Sequence, residues 1–259
     1  MKQRIITAAI ALLALMLVLF YVPSQVALAV IVVVMLGGAW EWSAFLGAPG
    51  NASRAAYVVM IGALIAAVSY LDVDVALIFK LSLASWIGAL VWTFFFPTPI
   101  PVAIRWLAGV LVIVPLYLAL VTLYNTAPEL LLFALLIVWV ADTGAYFAGR
   151  FLGRVKLAPE ISPGKTWEGV IGGLVAVVVL ILLGSIWVET NLTVLIPFCL
   201  AVACISVVGD LTVSMFKRTA GVKDSGSLFP GHGGVLDRID SVAAAAPLFA
   251  LGISWVGLS

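Results

Sequence analysis

Charge is scarce in this chain. Of 259 residues only 10% are Asp, Glu, Lys or Arg, there is one histidine, and there are two cysteines. A lone histidine is no metal site. Cys199 and Cys204 lie five apart in one apolar run, about 140° apart around a helix, so they cannot bridge each other; both read as buried hydrophobes. The formal net charge of +1 says little about partners, and no nucleic acid is expected among them. Repeats of fixed period, low-complexity tails and appended soluble domains are also missing.

What is abundant is apolar sequence. Hydrophobic residues make up 64% of the chain and mean hydropathy is +1.26, far outside the soluble globular class. Apolar runs recur at lengths that cross a bilayer. Expected spans are 5–21, 26–46, 55–70, 75–96, 102–124, 130–152, 168–188, 192–213 and 241–257, about nine in all. Turn chemistry separates them: Pro23-Ser24, the Gly47 to Asn51 stretch, Pro97-Thr98-Pro99, Asn125 to Pro128, and Glu189-Thr190-Asn191. The first run is not a cleavable signal peptide, because a second follows at once without a small-residue cleavage pattern. The fold class is therefore all-α, a polytopic transmembrane helical bundle. It forms one membrane domain, with N-terminal helices over 1–125 and C-terminal helices carrying the site over 126–259.

Orientation follows from alternate loops, since basic excess stays on the cytoplasmic side. With the N-terminus inside, Lys2, Arg4, Arg54, Arg105, Arg150, Arg154, Lys156, Lys165, Lys217, Arg218, Lys223 and Arg238 all fall in cytoplasmic segments, twelve of the 13 basic residues. The opposite loops hold Asp72, Asp74, Glu129 and Glu189. Lys80, the thirteenth, lies inside a span. The expected location is the cytoplasmic (inner) membrane, with the polar site facing the cytoplasm.

Polar chemistry is concentrated in 214–240. This stretch holds Lys217, Arg218, Lys223, Asp224, Asp237, Arg238, Asp240 and the single histidine, His232, among Gly221, Gly226, Gly231, Gly233 and Gly234. Bare glycine N–H groups approach anions closely. Just before it, Asp210, Ser214, Lys217 and Arg218 share about 100° of helical arc. Cations at a helix C-terminus suit its dipole, but Asp210 lies deeper and would cost about 2 to 3 kcal/mol unpaired in hydrocarbon. Asp237 and Asp240 open the last span, where dipole complementation alone would justify them. Joined to Asp210 through a basic, Gly-rich loop, they combine carboxylates that bind hard divalent cations with groups that bind phosphate. Phosphoryl and nucleotidyl transfer need both sets.

Two further motifs fall on the same side. Ala141-Asp142-Thr143-Gly144-Ala145-Tyr146-Phe147-Ala148-Gly149-Arg150 places Asp142 within a span, and Ala141, Ala145 and Gly149 repeat as a close-packing seam. Ser162-Pro163-Gly164-Lys165-Thr166-Trp167-Glu168-Gly169 suggests a phosphate-binding P-loop, but that motif needs glycine where Pro159 stands, and it needs a preceding strand. What survives is a turn delivering Ser162, Lys165 and Thr166 to the membrane surface, with Glu168 opening the next span. Glu41, in Trp40-Glu41-Trp42, reads as part of an interfacial aromatic belt. A small-residue seam, Gly169-x-x-x-Gly173, permits a homodimer.

The pattern Ser214-x-x-Lys217-Arg218-x4-Lys223-Asp224-x-Gly226-x2-Phe229-Pro230-x-His232-Gly233-Gly234-x-x-Asp237-Arg238-Ile239-Asp240 resembles the signature of the phosphatidate cytidylyltransferases, or CDP-diacylglycerol synthases. The 162–169 element is similar to the family's Ser-Pro-Lys-x-Thr-x-Glu-Gly, with Gly164 inserted. The N-terminal hundred or so residues add only apolar runs. The resemblance implies transfer of a cytidylyl group from CTP to phosphatidic acid, giving CDP-diacylglycerol and pyrophosphate, with Mg²⁺, one ion or two. It implies a metal centre at Asp210 and Asp237, catalytic roles for Lys217, Arg218, Lys223 and Asp142, and phosphate gripping by Arg238. Ser214, Asp224, His232, Gly233, Gly234, Asp240, Ser162, Lys165, Thr166 and Glu168 complete the expected substrate contacts. The alternatives are a CTP-dependent lipid-alcohol kinase, which would release CDP, and a membrane transporter, which would place its charges near the midplane.

Overall fold

A computed structural model describes residues 2–47, 50–186, 191–226 and 233–257, the side chains of 2–8 excepted. Nine α-helices appear among these residues: α1 (Lys2–Phe20), α2 (Ser24–Trp42), α3 (Asn51–Tyr70), α4 (Val75–Thr93), α5 (Val102–Thr126), α6 (Pro128–Leu152), α7 (Trp167–Gly184), α8 (Leu192–Thr219) and α9 (Leu236–Gly252). Two 3-10 turns, Ser43–Leu46 and Ile253–Val256, prolong α2 and α9. Eight of the helices are long and apolar enough to cross a membrane. Of α1, the apolar stretch with described side chains is Ala9–Phe20.

The elements start and stop where local chemistry directs. Asp74 caps α4 by accepting from the Leu77 N–H at 3.0 Å, and Asn191 caps α8 through the Thr193 N–H at 3.1 Å. Pro128 opens α6, where its missing N–H costs nothing. Gly47, with φ of 67°, closes the 3-10 turn after α2.

Two features differ from the expected spans. Helix α8 runs on to Thr219 and α9 begins at Leu236, so both extend past their apolar parts. Between α6 and α7 the chain forms an antiparallel hairpin, β1 (Lys156–Ala158) and β2 (Ser162–Thr166), pairing Lys156 with Thr166 and Ala158 with Ser162. The expected turn is thus a two-stranded ribbon on an otherwise helical bundle.

Helices α5 and α9 are the most enclosed. Small residues let α9 sink inward, with Ser241 and Ala243 to Ala246 all buried. At Gly209 a Cβ would stand only 2.5 Å from the Asp240 carbonyl oxygen, so glycine there lets α8 and α9 touch backbone to backbone. The seam expected on α6 is present: a Cβ on Gly173 of α7 would stand 2.6 Å from the Ala141 carbonyl oxygen, and one on Gly169 would stand 3.0 Å from that of Ala145. Gly169 and Gly173 are consumed inside the chain, so this motif offers no surface to a second copy. Cys199 is buried as expected, but Cys204 is exposed. The two cysteines point different ways around α8, and only one faces the core.

Candidate active site

The ends of α2, α4, α6 and α8 gather at one end of the bundle. Arg105, at the start of α5, donates to the carbonyls of Phe45 and Ile100, and Arg218 at the end of α8 donates to the Ile161 carbonyl in the hairpin at 3.1 Å. The charged residues of the second half meet there.

Helix α8 supplies the axis. One turn apart on its polar face, the Ser214 hydroxyl donates to Asp210 Oδ1 at 3.1 Å. Lys217 is buried and turns toward α9, its Nζ 2.7 Å from Asp237 Oδ1 and 3.9 Å from Asp240 Oδ2. Asp237 Oδ2 accepts from the backbone N–H groups of Ser225 at 2.9 Å and Gly234 at 3.0 Å. Gly233 precedes that contact with φ of 79°, a left-handed conformation suited to glycine.

From the other side comes the hairpin. Lys165 on β2 reaches α8, its Nζ 2.7 Å from Asp210 Oδ2. Gly164, Lys165 and Thr166 all lie within extended β2, so the Gly-Lys-Thr sequence is not a phosphate cradle at a helix start. Thr166 is buried and caps α7, accepting from the Gly169 N–H at 3.1 Å. Glu168 closes the hairpin base by accepting from the N–H groups of Arg154 and Val155 at 3.1 to 3.2 Å. Both side chains are thereby engaged in holding Lys165 in place. Ser162 is half-buried at the start of β2.

The third wall is α6. Asp142 is exposed although it sits well inside that helix; it faces Ser241 of α9 and lies within electrostatic reach of Asp210, Lys165 and Arg238. An accessible carboxylate among charges inside an apolar bundle marks a polar cleft between α6, α8 and α9. The cleft thus collects Asp142, Lys165, Asp210, Ser214, Lys217, Asp237, Arg238 and Asp240. Lys223 and Asp224 are exposed in the chain that follows α8, outside this cluster, and His232 lies outside the described residues.

Glu41 is the residue whose sequence context points to the wrong role. It is buried rather than interfacial, and it accepts from the Ser225 hydroxyl at 2.8 Å, the Val235 N–H at 2.9 Å and the Leu236 N–H at 2.8 Å. Its neighbour Trp42 is fully buried, 5.0 Å from the Phe216 ring on α8, and donates to the Arg105 carbonyl at 2.9 Å. The N-terminal helices therefore brace the site. The signal for this in the sequence is a carboxylate at the end of an apolar helix, where it opposes the helix dipole.

Among the described residues no three His, Cys, Asp or Glu side chains converge as a ready-made metal cage. Carboxylates are the protein donors that Mg²⁺ takes, commonly one or two of them together with substrate phosphates and water. Asp210 has acceptor capacity left beyond Lys165 and Ser214, whereas Asp237 already receives three donors of the roughly four that a carboxylate accommodates.

A cavity of about 610 Å³ adjoins the hairpin on the side of α4, α7 and α8. Its lining is mostly apolar, including Ile87, Leu90, Phe94, Ile161, Val208 and Leu211, with Thr93 and Glu160 also on it.

The cytidylyltransferase family matches residues 2–256. A Pseudomonas aeruginosa protein named phosphatidate cytidylyltransferase is 40% identical over 260 residues, covering 96% of this chain and 96% of its own length. One of the same name from Haemophilus influenzae is 37% identical over 281 residues, covering 96% of this chain and 97% of its own length. Another, from Staphylococcus saprophyticus, is 47% identical over 131 residues, about half of each chain. With relatives aligned along nearly their whole length, and the family match running from the first helix to the last, this chain belongs to the cytidylyltransferase family.

Proposed function

We propose that this chain transfers the cytidylyl group of CTP to phosphatidic acid, forming CDP-diacylglycerol and pyrophosphate for phospholipid synthesis. The observation that carries the reading is the meeting of Lys165, Lys217 and Arg238 with Asp142, Asp210, Asp237 and Asp240 in one cleft, in a chain of this family. The site faces the cytoplasm from the inner membrane, where CTP is soluble and the lipid is held. The support for that orientation is the placing of basic residues in or just beside the α2–α3, α4–α5, α6–α7 and α8–α9 connections. Arg54 and Arg105 lie in the first turns of α3 and α5, and Arg154, Lys156, Lys165 and Lys223 in the connections themselves, while the opposite connections hold none.

The chain's own groups do most of the work by holding charge. Lys165 and Lys217 serve as the countercharges of Asp210 and Asp237. A triphosphate entering the cleft offers both ammonium groups an anionic partner, and the carboxylate oxygens they leave become available. Asp210 and Asp237 would hold Mg²⁺, one ion or two, which supplies neutralisation of the polyphosphate charge. Arg238 orients the phosphates, whereas the Gly234 N–H is already engaged by Asp237 Oδ2. The phosphate oxygen of phosphatidic acid then attacks the α-phosphorus, the bond to the β-phosphate breaks, and pyrophosphate leaves. A phosphate monoester is already largely ionised near neutral pH, its second pKa being about 6, so the lone histidine need not be a base. The apolar cavity beside the hairpin offers the acyl chains a wall next to the headgroup site. A homodimer would have to use a face other than Gly169-x-x-x-Gly173, which α6 covers.

The test is the purified protein with phosphatidic acid, Mg²⁺ and CTP labelled at the α-phosphate. Label in the lipid with an equivalent of pyrophosphate is expected. Label left in soluble CDP would replace this reading by a lipid-alcohol kinase, and an intact sample without turnover would favour a transporter.

A further inference from the structure

We infer that Glu41 is a positioning residue of the transfer reaction: from α2 it fixes the start of α9 and the chain on either side of 227–232, and so sets the place of Asp237 without touching substrate. The inference rests on the cytidylyltransferase reading of the site.

Glu41 is an unfavourable residue where it stands. It is buried, at the C-terminal end of α2, where the helix dipole opposes a negative charge, and burying a carboxylate is costly unless it is hydrogen-bonded. The nearby lysines pair with other carboxylates, Lys165 with Asp210 and Lys217 with Asp237 and Asp240. The compensation for Glu41 comes from Ser225, Val235 and Leu236, residues 184 to 195 positions away in sequence.

Those donors are not scattered. Val235 is the N-cap residue of α9 and brings no side-chain acceptor to it, so no capping side chain of its own segment meets the first N–H groups of the helix. Glu41 takes the place of the missing cap, and its charge suits the positive end of α9. A Cβ on either Gly226 or Gly234 would run into the Glu41 carboxylate, so both glycines admit it.

The link to chemistry is Ser225. Its hydroxyl donates to Glu41 while its N–H donates to Asp237 Oδ2, and Gly234, packed on Glu41, donates to the same Oδ2. Asp237 in turn holds Lys217. A serine or aspartate at position 235 would have capped α9 locally. Capping from α2 instead ties Asp237, Lys217 and both ends of the Gly-rich segment to one carboxylate.

The experiment uses the full-length protein with Glu41→Gln, Glu41→Asp and Ser225→Ala. The amide of Gln keeps one acceptor oxygen but turns an NH₂ toward a donor. In Glu41→Gln, amide exchange at 233–236 should rise, and kcat should fall about tenfold or more, as expected for losing hydrogen bonds to a charged group. The KM for phosphatidic acid should stay within about twofold, because no binding group has been removed. Glu41→Asp should recover part of kcat, and Ser225→Ala should give a smaller effect in the same direction. A Glu41→Gln protein that melts lower yet keeps wild-type kcat and wild-type exchange at 233–236 would overturn the inference, leaving Glu41 a packing residue. Failure of the underlying function shows differently, as wild-type protein that puts no label into lipid.

Discussion

Lys165 Nζ lies 2.7 Å from Asp210 Oδ2, so a five-residue strand outside the bundle is tied to the polar face of its longest helix. Both side chains remain partly accessible, at 24% and 30%. A partly exposed pair of this kind contributes about 0 to 1 kcal/mol to stability. Stability therefore does not explain the pairing, while a cation held ready at the cleft does. Lys165→Met should leave the melting temperature within a few degrees of wild type and lower kcat/KM for CTP about a hundredfold, the loss expected for a phosphate-binding cation. Lys165→Arg should recover part of it. Equal activity in the Met variant would remove Lys165 from the site.

The pair formed by Lys217 and Asp237 behaves differently because it is buried, the side chains being 10% and 8% exposed. Removing Lys217 leaves Asp237 without its cation, a loss of about 3 to 5 kcal/mol, and removing Asp237 leaves Lys217 only the more distant Asp240, at 3.9 Å. Lys217→Met and Asp237→Asn should each lower the melting temperature sharply. The double variant should melt higher than Lys217→Met alone, since Asp237 is then no longer a charge without its cation although Asp240 still is, and should remain inactive. Thermal unfolding and label transfer measured on the same samples separate the two effects. Additive losses in the double variant would show that the two side chains do not depend on each other.

Much of this arrangement is legible in the amino-acid sequence. The helices follow the apolar runs, and Asp210, Ser214 and Lys217 share a face because helical spacing dictates it. The hairpin is not legible: β1 has three residues and β2 contains Pro163 and Gly164, so neither shows the alternation that marks a strand. Arg218 is expected at the phosphates, yet its Nε donates to the Ile161 carbonyl, a partner no local pattern reveals. Glu41 is hidden for a related reason. Its donors lie 184 or more positions away, and the two flanking tryptophans give a stronger local signal than the carboxylate does.

The α6–α7 seam makes its own prediction. A Cβ on Gly173 would stand 2.6 Å from the Ala141 carbonyl oxygen, and backbone on both sides leaves no flexible side chain to yield. Gly173→Ala should cost about 1 to 3 kcal/mol in stability. Because Ala141 adjoins Asp142, any displacement of α6 also moves that carboxylate, so activity should fall more than the folded fraction does. Gly184→Ala, where nothing stands within 4 Å of the added Cβ, is the control and should be nearly silent in both thermal unfolding and turnover.

Under the proposed mechanism the metal arrives with the nucleotide. Asp210 and Asp237 carry lysine partners in this arrangement, and no three ligand side chains converge among the described residues. A divalent ion arriving alone must compete with two ammonium groups for the carboxylates and finds no complete cage. One arriving on the nucleotide brings phosphate oxygens as further ligands, and the same phosphates attract Lys165 and Lys217 away. Metal and nucleotide should therefore bind cooperatively, each raising the affinity of the other by the same factor. Mn²⁺ used as a paramagnetic substitute should bind weakly to the protein alone and at least about tenfold more tightly with CTP present, a coupling of about 1.4 kcal/mol. Chelation should abolish transfer, and Mg²⁺ should restore it. In Asp210→Asn the dependence on CTP should remain only as far as the nucleotide's own affinity for Mn²⁺ allows. Stoichiometric, tight Mn²⁺ binding in the absence of nucleotide would contradict this order, because it would require a cage formed by the protein alone.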